Sequence, residues 1–188
     1  DNILRTSIAP YVKDFEKSDA QASVLLCEVS KSNQFGIAIV KNGVLSKIME
    51  KPKIPPSNLA VTGIYLLTPM IFDIIDKLKP SWRNELEITD ALQMLLEENY
   101  KIIHYMVTDY WKDTGTPQDI IHANSVILDS LEVRSRGTIE NGATITGKVT
   151  IGSNTVIKKS TKINGPVIIG DDCIIYGDAT IYQNTSIG

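Results

Sequence analysis

Histidine is scarce in this sequence, and the charges nearly balance. The 188 residues include two histidines, 19 lysines and arginines, and 22 aspartates and glutamates, for a net charge of −3. Both histidines, His104 and His122, precede residue 131, so 131–188 offer no imidazole for acyl transfer or for a zinc site. The charges form no basic stripe, which argues against nucleic acid or an anionic membrane as a partner.

Long apolar runs are also missing. No stretch approaches the roughly 18 apolar residues of a membrane span, and no charged start followed by an apolar block suggests a signal peptide. The two cysteines, Cys27 and Cys173, lie in separate segments with apolar patterns. We therefore expect buried free thiols in a reducing cytosol rather than a disulfide, and a cytoplasmic protein.

Isoleucine, by contrast, recurs every six residues in the last third of the chain. The series is Ile139, Ile145, Ile151, Ile157, Ile163, Ile169, Ile175, Ile181 and Ile187. Four positions after the first eight stand small or β-branched residues: Ala143, Val149, Thr155, Thr161, Val167, Cys173, Ala179 and Thr185. This hexapeptide pattern predicts that 131–188 form a left-handed parallel β-helix with three short strands per coil.

Residues 1–130 alternate between strand and helix patterns, which predicts an α/β domain. An amphipathic stretch over 8–15 comes first. The expected strands are 22–29, 35–40, 45–49, 60–67 and 102–107, and the expected helices are 70–78, 91–98 and 118–128. Thr68, Thr89 and Thr116 are the expected helix caps, and Asn42-Gly43 predicts a hairpin turn.

The two ends of the sequence predict a piece of a longer protein. Asp1-Asn2-Ile3 lacks an initiator methionine, and Ile187-Gly188 begins another repeat without a polar cap. We expect the solenoid to continue in the parent protein.

Three polar clusters are candidates for chemistry. Glu50-Lys51-Pro52 ends a strand, where an α/β sheet delivers side chains to a cleft, although a solvated strand end explains it as well. Arg83 precedes a helix start, where Glu85 and Glu87 would also suit the positive helix terminus. Asp113 lies in a turn before a helix, so it is either a metal ligand or a turn-forming aspartate.

Taken together, the clusters resemble one family in order and spacing. The matching segments are Phe35-Gly36, Glu50-Lys51-Pro52, 56–65, 79–83, 85–90 and 111–115, and Asp1-Asn2-Ile3 resembles a Gly-Asp-Asn segment that supplies a metal-binding aspartate. These motifs are similar to those of sugar-1-phosphate nucleotidylyltransferases, above all the long-form glucose-1-phosphate thymidylyltransferases that end in a hexapeptide solenoid. The resemblance implies the C-terminal half of a Rossmann-like nucleotidyltransferase domain over 1–130, followed by the β-helix.

The resemblance also implies a reaction and a set of roles. Glucose 1-phosphate would attack dTTP, giving dTDP-glucose and pyrophosphate with the help of Mg²⁺. The implied metal ligands are Asp1 and Asp113; the implied phosphate-binding catalytic residues are Lys51 and Arg83; the implied substrate-binding residues are Gly36, Glu50, Val61, Gly63 and Trp111. Trp111 is equally explained as a core aromatic.

The glycine-rich nucleotide-binding segment of that family does not occur between Asp1 and Gly188, so this polypeptide alone is expected to be inactive. Several alternatives stay open: UTP as the nucleotide, a bifunctional nucleotidylyltransferase and acetyltransferase whose second activity lies beyond Gly188, or a non-catalytic regulatory or assembly subunit. The exposed solenoid faces make a homo-oligomer conceivable.

Overall fold

The computed structural model describes residues 2–188 and divides the chain into two compact units. The first unit ends at Asp113 and the second begins at Thr114. The helix that follows Thr116 therefore belongs to the same unit as the solenoid, whereas the sequence pattern divides the chain at residue 130, where the repeats begin. Among the described residues, no helix is both long and apolar enough to cross a membrane.

The first unit is built on a mixed sheet with strand order β4-β3-β5-β2-β6 within the described residues. Its strands are β2 (Ala22–Glu28), β3 (Ile37–Lys41), β4 (Val44–Met49), β5 (Leu59–Leu67) and β6 (Ile102–Met106). Strands β2 and β6 are parallel, and the other neighbours are antiparallel. All five were expected from the sequence, with bounds shifted by one or two residues.

A separate antiparallel ribbon pairs β1 (Asn2–Leu4) with β7 (Trp111–Asp113), and Asn2 lies opposite Asp113. The sequence pattern did not predict either strand. Both are three residues long, which is too short for hydrophobic alternation to be read.

Within the described part of this unit, three α-helices accompany the sheet: α1 (Ala9–Glu16), α2 (Met70–Ile75) and α3 (Ile88–Glu97). Helix α3 buries Leu92 and Leu95 in the core that includes Val24 and Leu26 of β2. Because the glycine-bearing turn Asn42-Gly43 has positive φ at both residues, it closes the β3–β4 hairpin as predicted.

Two of the expected threonine caps are wrong. Helix α2 begins after Pro69 without a side-chain cap, because the Thr68 hydroxyl donates to Gln21 Oε1 at 2.7 Å. Thr89 lies inside α3, where its hydroxyl donates to the Glu50 carboxylate at 2.9 Å. Helix α2 also ends three residues before the expected position 78.

The second unit opens with α4 (Pro117–Asp129), which has the cap that the sequence predicts. The Thr116 hydroxyl accepts from the Asp119 backbone amide, and the Asp119 carboxylate accepts from the Thr116 amide, so the two residues form a capping box. Asn124 on this helix donates to the backbone carbonyl of Asn184 in the solenoid.

The solenoid that follows is a parallel β-helix, as the six-residue period predicts. Its strands are β8 (Thr138–Ile139), β9 (Thr144–Thr146), β10 (Val149–Ile151), β11 (Val156–Ile157), β12 (Lys162–Asn164), β13 (Val167–Ile169), β14 (Ile174–Ile175), β15 (Thr180–Ile181) and β16 (Thr185–Ile187). In the described part of the chain they form three parallel sheets, β10-β13-β16, β8-β11-β14 and β9-β12-β15. Val149 pairs with Val167, 18 residues later, so one coil holds three hexapeptides.

Burial follows the position of each coil in the stack. Ile157, Ile163 and Ile169 are fully buried, whereas Ile139 in the first coil is exposed. A coil with a neighbour on each side is covered twice, and a terminal coil only once. The inward threonines are also buried: Thr155 donates to the Gly170 carbonyl at 2.6 Å and accepts from the Cys173 amide at 3.0 Å.

The two cysteines are free, as expected, but only half-buried. Burial raises the pKa of the Cys27 thiol, and the nearby charge of Glu28 raises it further. The prediction that the two thiols are buried is wrong, since both cysteines are half-buried. Cys27 lies next to the end of β2, and Cys173 lies in the last described coils of the solenoid, where cover by neighbouring chain is incomplete.

Replacing the buried Thr155 with valine should destabilise the second unit by about 1–3 kcal/mol, because the change removes both hydrogen bonds of the hydroxyl. Valine itself fits, since Val149 and Val167 occupy the same repeat position. Thr161→Val should cost less, because among the described residues the Thr161 hydroxyl makes a single hydrogen bond, donated to the Tyr176 carbonyl at 3.1 Å. Thermal unfolding of both variants measures the order, and equal losses would contradict it.

Candidate active site

A cavity of about 260 Å³ in the first unit gathers most of the predicted site residues. It is lined by Gly36, Glu50, Lys51, Val61, Gly63, Trp111 and Asp113, together with Asn2, Gln34, Phe35, Thr62, Tyr65, Glu87, Ile88 and Thr89. Arg83 does not line it but contacts two of its carboxylates. Asp1, predicted as a metal ligand, lies outside the described residues.

Glu50 follows the last residue of β4 and is 14% exposed at its side chain. One carboxylate oxygen, Oε2, accepts the Thr89 hydroxyl at 2.9 Å. The other, Oε1, lies 3.5 Å from Arg83 Nη1 and 3.9 Å from Lys51 Nζ. A carboxylate with so little solvent needs such partners, and each oxygen still has lone-pair capacity toward the cavity.

Lys51 has the backbone conformation that L-residues rarely adopt, with φ of +36°. Its amide donates to the Phe35 carbonyl at 3.2 Å, which holds the strand end in this bend. The Lys51 side chain is 39% exposed, so its ammonium group is available to an anion in the cavity.

Arg83 contacts carboxylates on both sides of its guanidinium. Nη1 lies 3.1 Å from Glu87 Oε1 and 3.5 Å from Glu50 Oε1, and Nη2 lies 2.8 Å from Glu85 Oε2. The guanidinium is thus fixed in orientation before any ligand arrives.

A bulge in β5 shapes one wall of the cavity. The pairing of β2 with β5 shifts register between Val24 and Leu26, and the hydroxyl of Thr62 donates to the Leu25 carbonyl at 2.9 Å inside the irregularity. Gly63 has φ of +81°, which favours glycine, and a Cβ there would lie 2.8 Å from Nδ2 of the Asn2 side chain.

Glycine is required at position 36 because neighbouring side chains leave no space for a Cβ atom. A Cβ at this position would lie 2.7 Å from Thr89 Cγ2 and 3.1 Å from Glu50 Oε2. The missing side chain lets the Thr89–Glu50 hydrogen bond form against the strand, a contact that the sequence did not reveal.

Trp111 and Asp113 enter from the β1–β7 ribbon. The indole Nε1 donates to Asn2 Oδ1 at 2.9 Å, and its ring meets Phe35 edge to face at 5.5 Å. Asp113 lies opposite Asn2 and is half-buried. Trp111 therefore forms part of the cavity wall next to Asp113.

The lining of the cavity suits Mg²⁺ bound through few protein carboxylates. The part of the chain that the structure describes contains no cluster of three histidine, cysteine or acidic side chains placed for a metal. Mg²⁺, however, is commonly bound by one or two carboxylates, with substrate phosphates and waters completing the octahedron. Asp113 at the cavity edge offers one such carboxylate.

Sequence reasoning missed several residues of the cavity. Glu87 is 8% exposed and bonded to Arg83, and because both residues precede α3, no helical spacing indicated the pair. Thr89, taken for a helix cap, instead orients Glu50. Tyr65 also lines the wall, and burial, with a smaller effect of the Glu50 charge, raises its pKa to about 12, so it stays a neutral hydroxyl.

Replacing Gly36 with alanine should destabilise the first unit by about 1–3 kcal/mol, because the new methyl group overlaps Thr89 Cγ2. Adding Thr89→Ser removes that methyl group and keeps the hydroxyl, so it should restore part of the loss. Chemical denaturation of the two single variants and the double variant measures the coupling. Additive losses would show that the close contact is not what requires glycine.

Two family models match the chain. The model for nucleotidyl transferases matches residues 1–130, and the model for the bacterial transferase hexapeptide (six repeats) matches 148–188.

Two proteins that resemble the chain in sequence are nucleotidyltransferases. The low-salt glycan biosynthesis nucleotidyltransferase Agl11 of Haloferax volcanii is 46% identical over 150 residues, which are 79% of this chain and 42% of that protein. A glucose-1-phosphate thymidylyltransferase of Streptomyces antibioticus is 36% identical over 151 residues, with the same two shares. This chain thus spans less than half the length of these curated relatives.

A solved structure agrees with them. It is described as a glucose-1-phosphate thymidylyltransferase from Bacillus anthracis in complex with a sucrose, and it superposes with a TM-score of 0.63 at 39% identity. The match covers 71% of this chain and 54% of that one.

Proposed function

The chain belongs to the nucleotidyl transferase family, and we propose that its first unit forms the sugar-phosphate side of a sugar-1-phosphate nucleotidyltransferase site. The family predicted from the sequence motifs is confirmed by the match over 1–130. In the proposed reaction the phosphate of glucose 1-phosphate attacks the α-phosphorus of dTTP, which gives dTDP-glucose and releases pyrophosphate.

One observation carries the proposal: Lys51, Glu50 and Asp113 line the same cavity, with Arg83 bonded to its acidic wall. Nucleotidyl transfer requires two phosphate-bearing molecules to be aligned while negative charge is neutralised, and no covalent attachment to the protein is needed. A cavity lined by a partly exposed lysine and by a carboxylate for a metal, with an oriented arginine bonded to its acidic wall, suits that requirement.

The two cations suit different tasks. Lys51 ends in a compact, half-exposed charge that can follow a phosphate as it moves, whereas Arg83 offers a planar fork that is already oriented. Together they would bind the sugar phosphate and hold its attacking oxygen in place.

Glu50 would recognise the sugar rather than the phosphate. Its carboxylate is oriented by Thr89 and Arg83, and its remaining lone pairs accept hydrogen bonds from vicinal hydroxyls. Trp111 forms an apolar wall suited to the face of a pyranose ring. The same residues would bind glucose more readily than a charged sugar, because Glu50 and Glu87 repel a second anion.

Asp113 would hold Mg²⁺ together with Asp1. When bound, the metal would neutralise negative charge on the substrate phosphates. The proposal of dTTP over UTP is supported by the Streptomyces antibioticus relative, a glucose-1-phosphate thymidylyltransferase. Turnover of a panel of nucleoside triphosphates by the protein that carries this chain tests it.

Replacing Lys51 with alanine in that protein should lower kcat/KM for glucose 1-phosphate by about ten- to a hundredfold, the value of a charged hydrogen bond to phosphate. Lys53→Ala is the matched control, because Lys53 is exposed, loses the same charge and does not line the cavity. Steady-state pyrophosphate release measures both variants. Equal effects would mean that general charge steering, not contact, explains the loss.

Replacing Asp113 with asparagine should abolish most Mg²⁺-dependent turnover, because a neutral amide is a weaker ligand for a hard cation. Titrating Mg²⁺ should show a raised half-saturating concentration as well as a lower maximum rate. Asp109→Asn, an equal change of charge at an exposed residue outside the cavity, serves as the control. An unchanged Mg²⁺ dependence in Asp113→Asn would remove Asp113 from the metal site.

A further inference from the structure

The loop that carries Arg83 surrounds the guanidinium with carboxylates of very different exposure. Glu87, on the Nη1 side, is 10% exposed at its side chain, and Glu50, on the same side, is 14% exposed. Glu85, on the Nη2 side, is 57% exposed and makes the shortest contact, at 2.8 Å. The arginine therefore has an inner, buried pair of partners and an outer, solvated one.

The outer contact is built into the backbone of the loop. Asn84 has φ of +60°, and its amide donates to the Ser81 carbonyl at 2.9 Å. The Ser81 amide in turn donates to the Glu85 carbonyl at 2.8 Å, which closes the turn. This reversal brings Glu85 back to Arg83, only two residues away in sequence.

The inner contact is supported separately. The Ser81 hydroxyl accepts the Arg83 amide at 3.1 Å and donates to Glu87 Oε1 at 3.0 Å. Glu87 also precedes the first residue of α3, where the helix dipole favours its negative charge. Its carboxylate is thus fixed by a hydroxyl, a helix terminus and the guanidinium.

The two kinds of contact differ in strength. Removing one partner from a buried pair leaves an uncompensated charge and is costly, whereas an exposed pair contributes about 0–1 kcal/mol. A phosphate dianion carries more charge than one carboxylate and matches the guanidinium fork equally well. An incoming phosphate can therefore displace Glu85 from Nη2, but not Glu87 from Nη1.

We propose that Glu85 is an internal competitor for the sugar phosphate, occupying Arg83 Nη2 until substrate displaces it, while Glu87 is a positioning residue that keeps the guanidinium oriented throughout. This inference rests on the proposed function, in which Arg83 binds the phosphate. Its consequence is that two carboxylates on one arginine have opposite effects on substrate affinity.

The test compares Glu85→Gln and Glu87→Gln in the protein that carries this chain. Glu85→Gln should lower KM for glucose 1-phosphate by about two- to fivefold, because the competing charge is gone. Glu87→Gln should raise KM by about tenfold or more, because the guanidinium loses its buried anchor. The gain in Glu85→Gln should shrink at high salt, since an exposed pair is screened.

Glu98→Gln is the matched control for net charge. Glu98 is 39% exposed, pairs with Lys77 at 3.2 Å and does not line the cavity, so its loss should leave KM unchanged. A decrease of KM in this variant equal to that in Glu85→Gln would overturn the proposal by assigning the effect to overall charge.

Arg83→Gln distinguishes the proposed phosphate binding by Arg83 from the proposed competition by Glu85. If it leaves KM for glucose 1-phosphate unchanged, Arg83 does not bind the phosphate, and its role in the proposed function fails together with this inference. If it raises KM while Glu85→Gln leaves KM unchanged or raises it, the proposed role of Arg83 stands and the competition is refuted.

Discussion

The site in the first unit depends on the carboxylate of Glu50, which is nearly buried and therefore requires hydrogen-bonding or charged partners. Glu50 stands at the end of the β3–β4 hairpin, yet the groups that satisfy it come from a helix and a loop: the Thr89 hydroxyl of α3 and the Arg83 guanidinium. Gly36, directly before β3, leaves the space in which the Thr89 contact forms. A charge with so little solvent is costly unless it is paired, so the same contacts that stabilise the fold also fix the geometry of the cavity.

The balance of charge follows from this constraint. Glu50, Glu87 and Asp113 line a cavity that is proposed to receive phosphates, and Lys51 is the only cation among the described residues that line it. Such a cavity disfavours anions unless they are accompanied by metal or by a fixed arginine. In the proposed reaction the acidic wall would disfavour a second anion on the sugar, while the phosphate would lie toward the cations.

The solenoid is stabilised by a different principle. Each coil contacts mainly the coils before and after it, so burial rises toward the middle of the stack and falls at its ends. Thr155 and Thr161 add a polar element, since their buried hydroxyls donate to backbone carbonyls 15 residues later. No histidine accompanies them in 131–188.

The sequence by itself determined the architecture, because its evidence is periodic: a six-residue repeat of isoleucine, alternating apolar runs, and turn signals such as Asn42-Gly43. It also identified the family, since Glu50-Lys51-Pro52 and 111–115 keep their order along the chain. Only the tertiary structure decided which groups meet. The sequence pattern predicts Thr89 as a helix cap, but in the structure its hydroxyl bonds to Glu50. The pattern explains Glu87 as a charge suited to the helix terminus, but its carboxylate also accepts a hydrogen bond from Arg83. A local sequence pattern shows which groups can pair with near neighbours in the chain. It cannot show the contact between Glu50 and Thr89, because 39 residues separate them and only the folded chain brings them together.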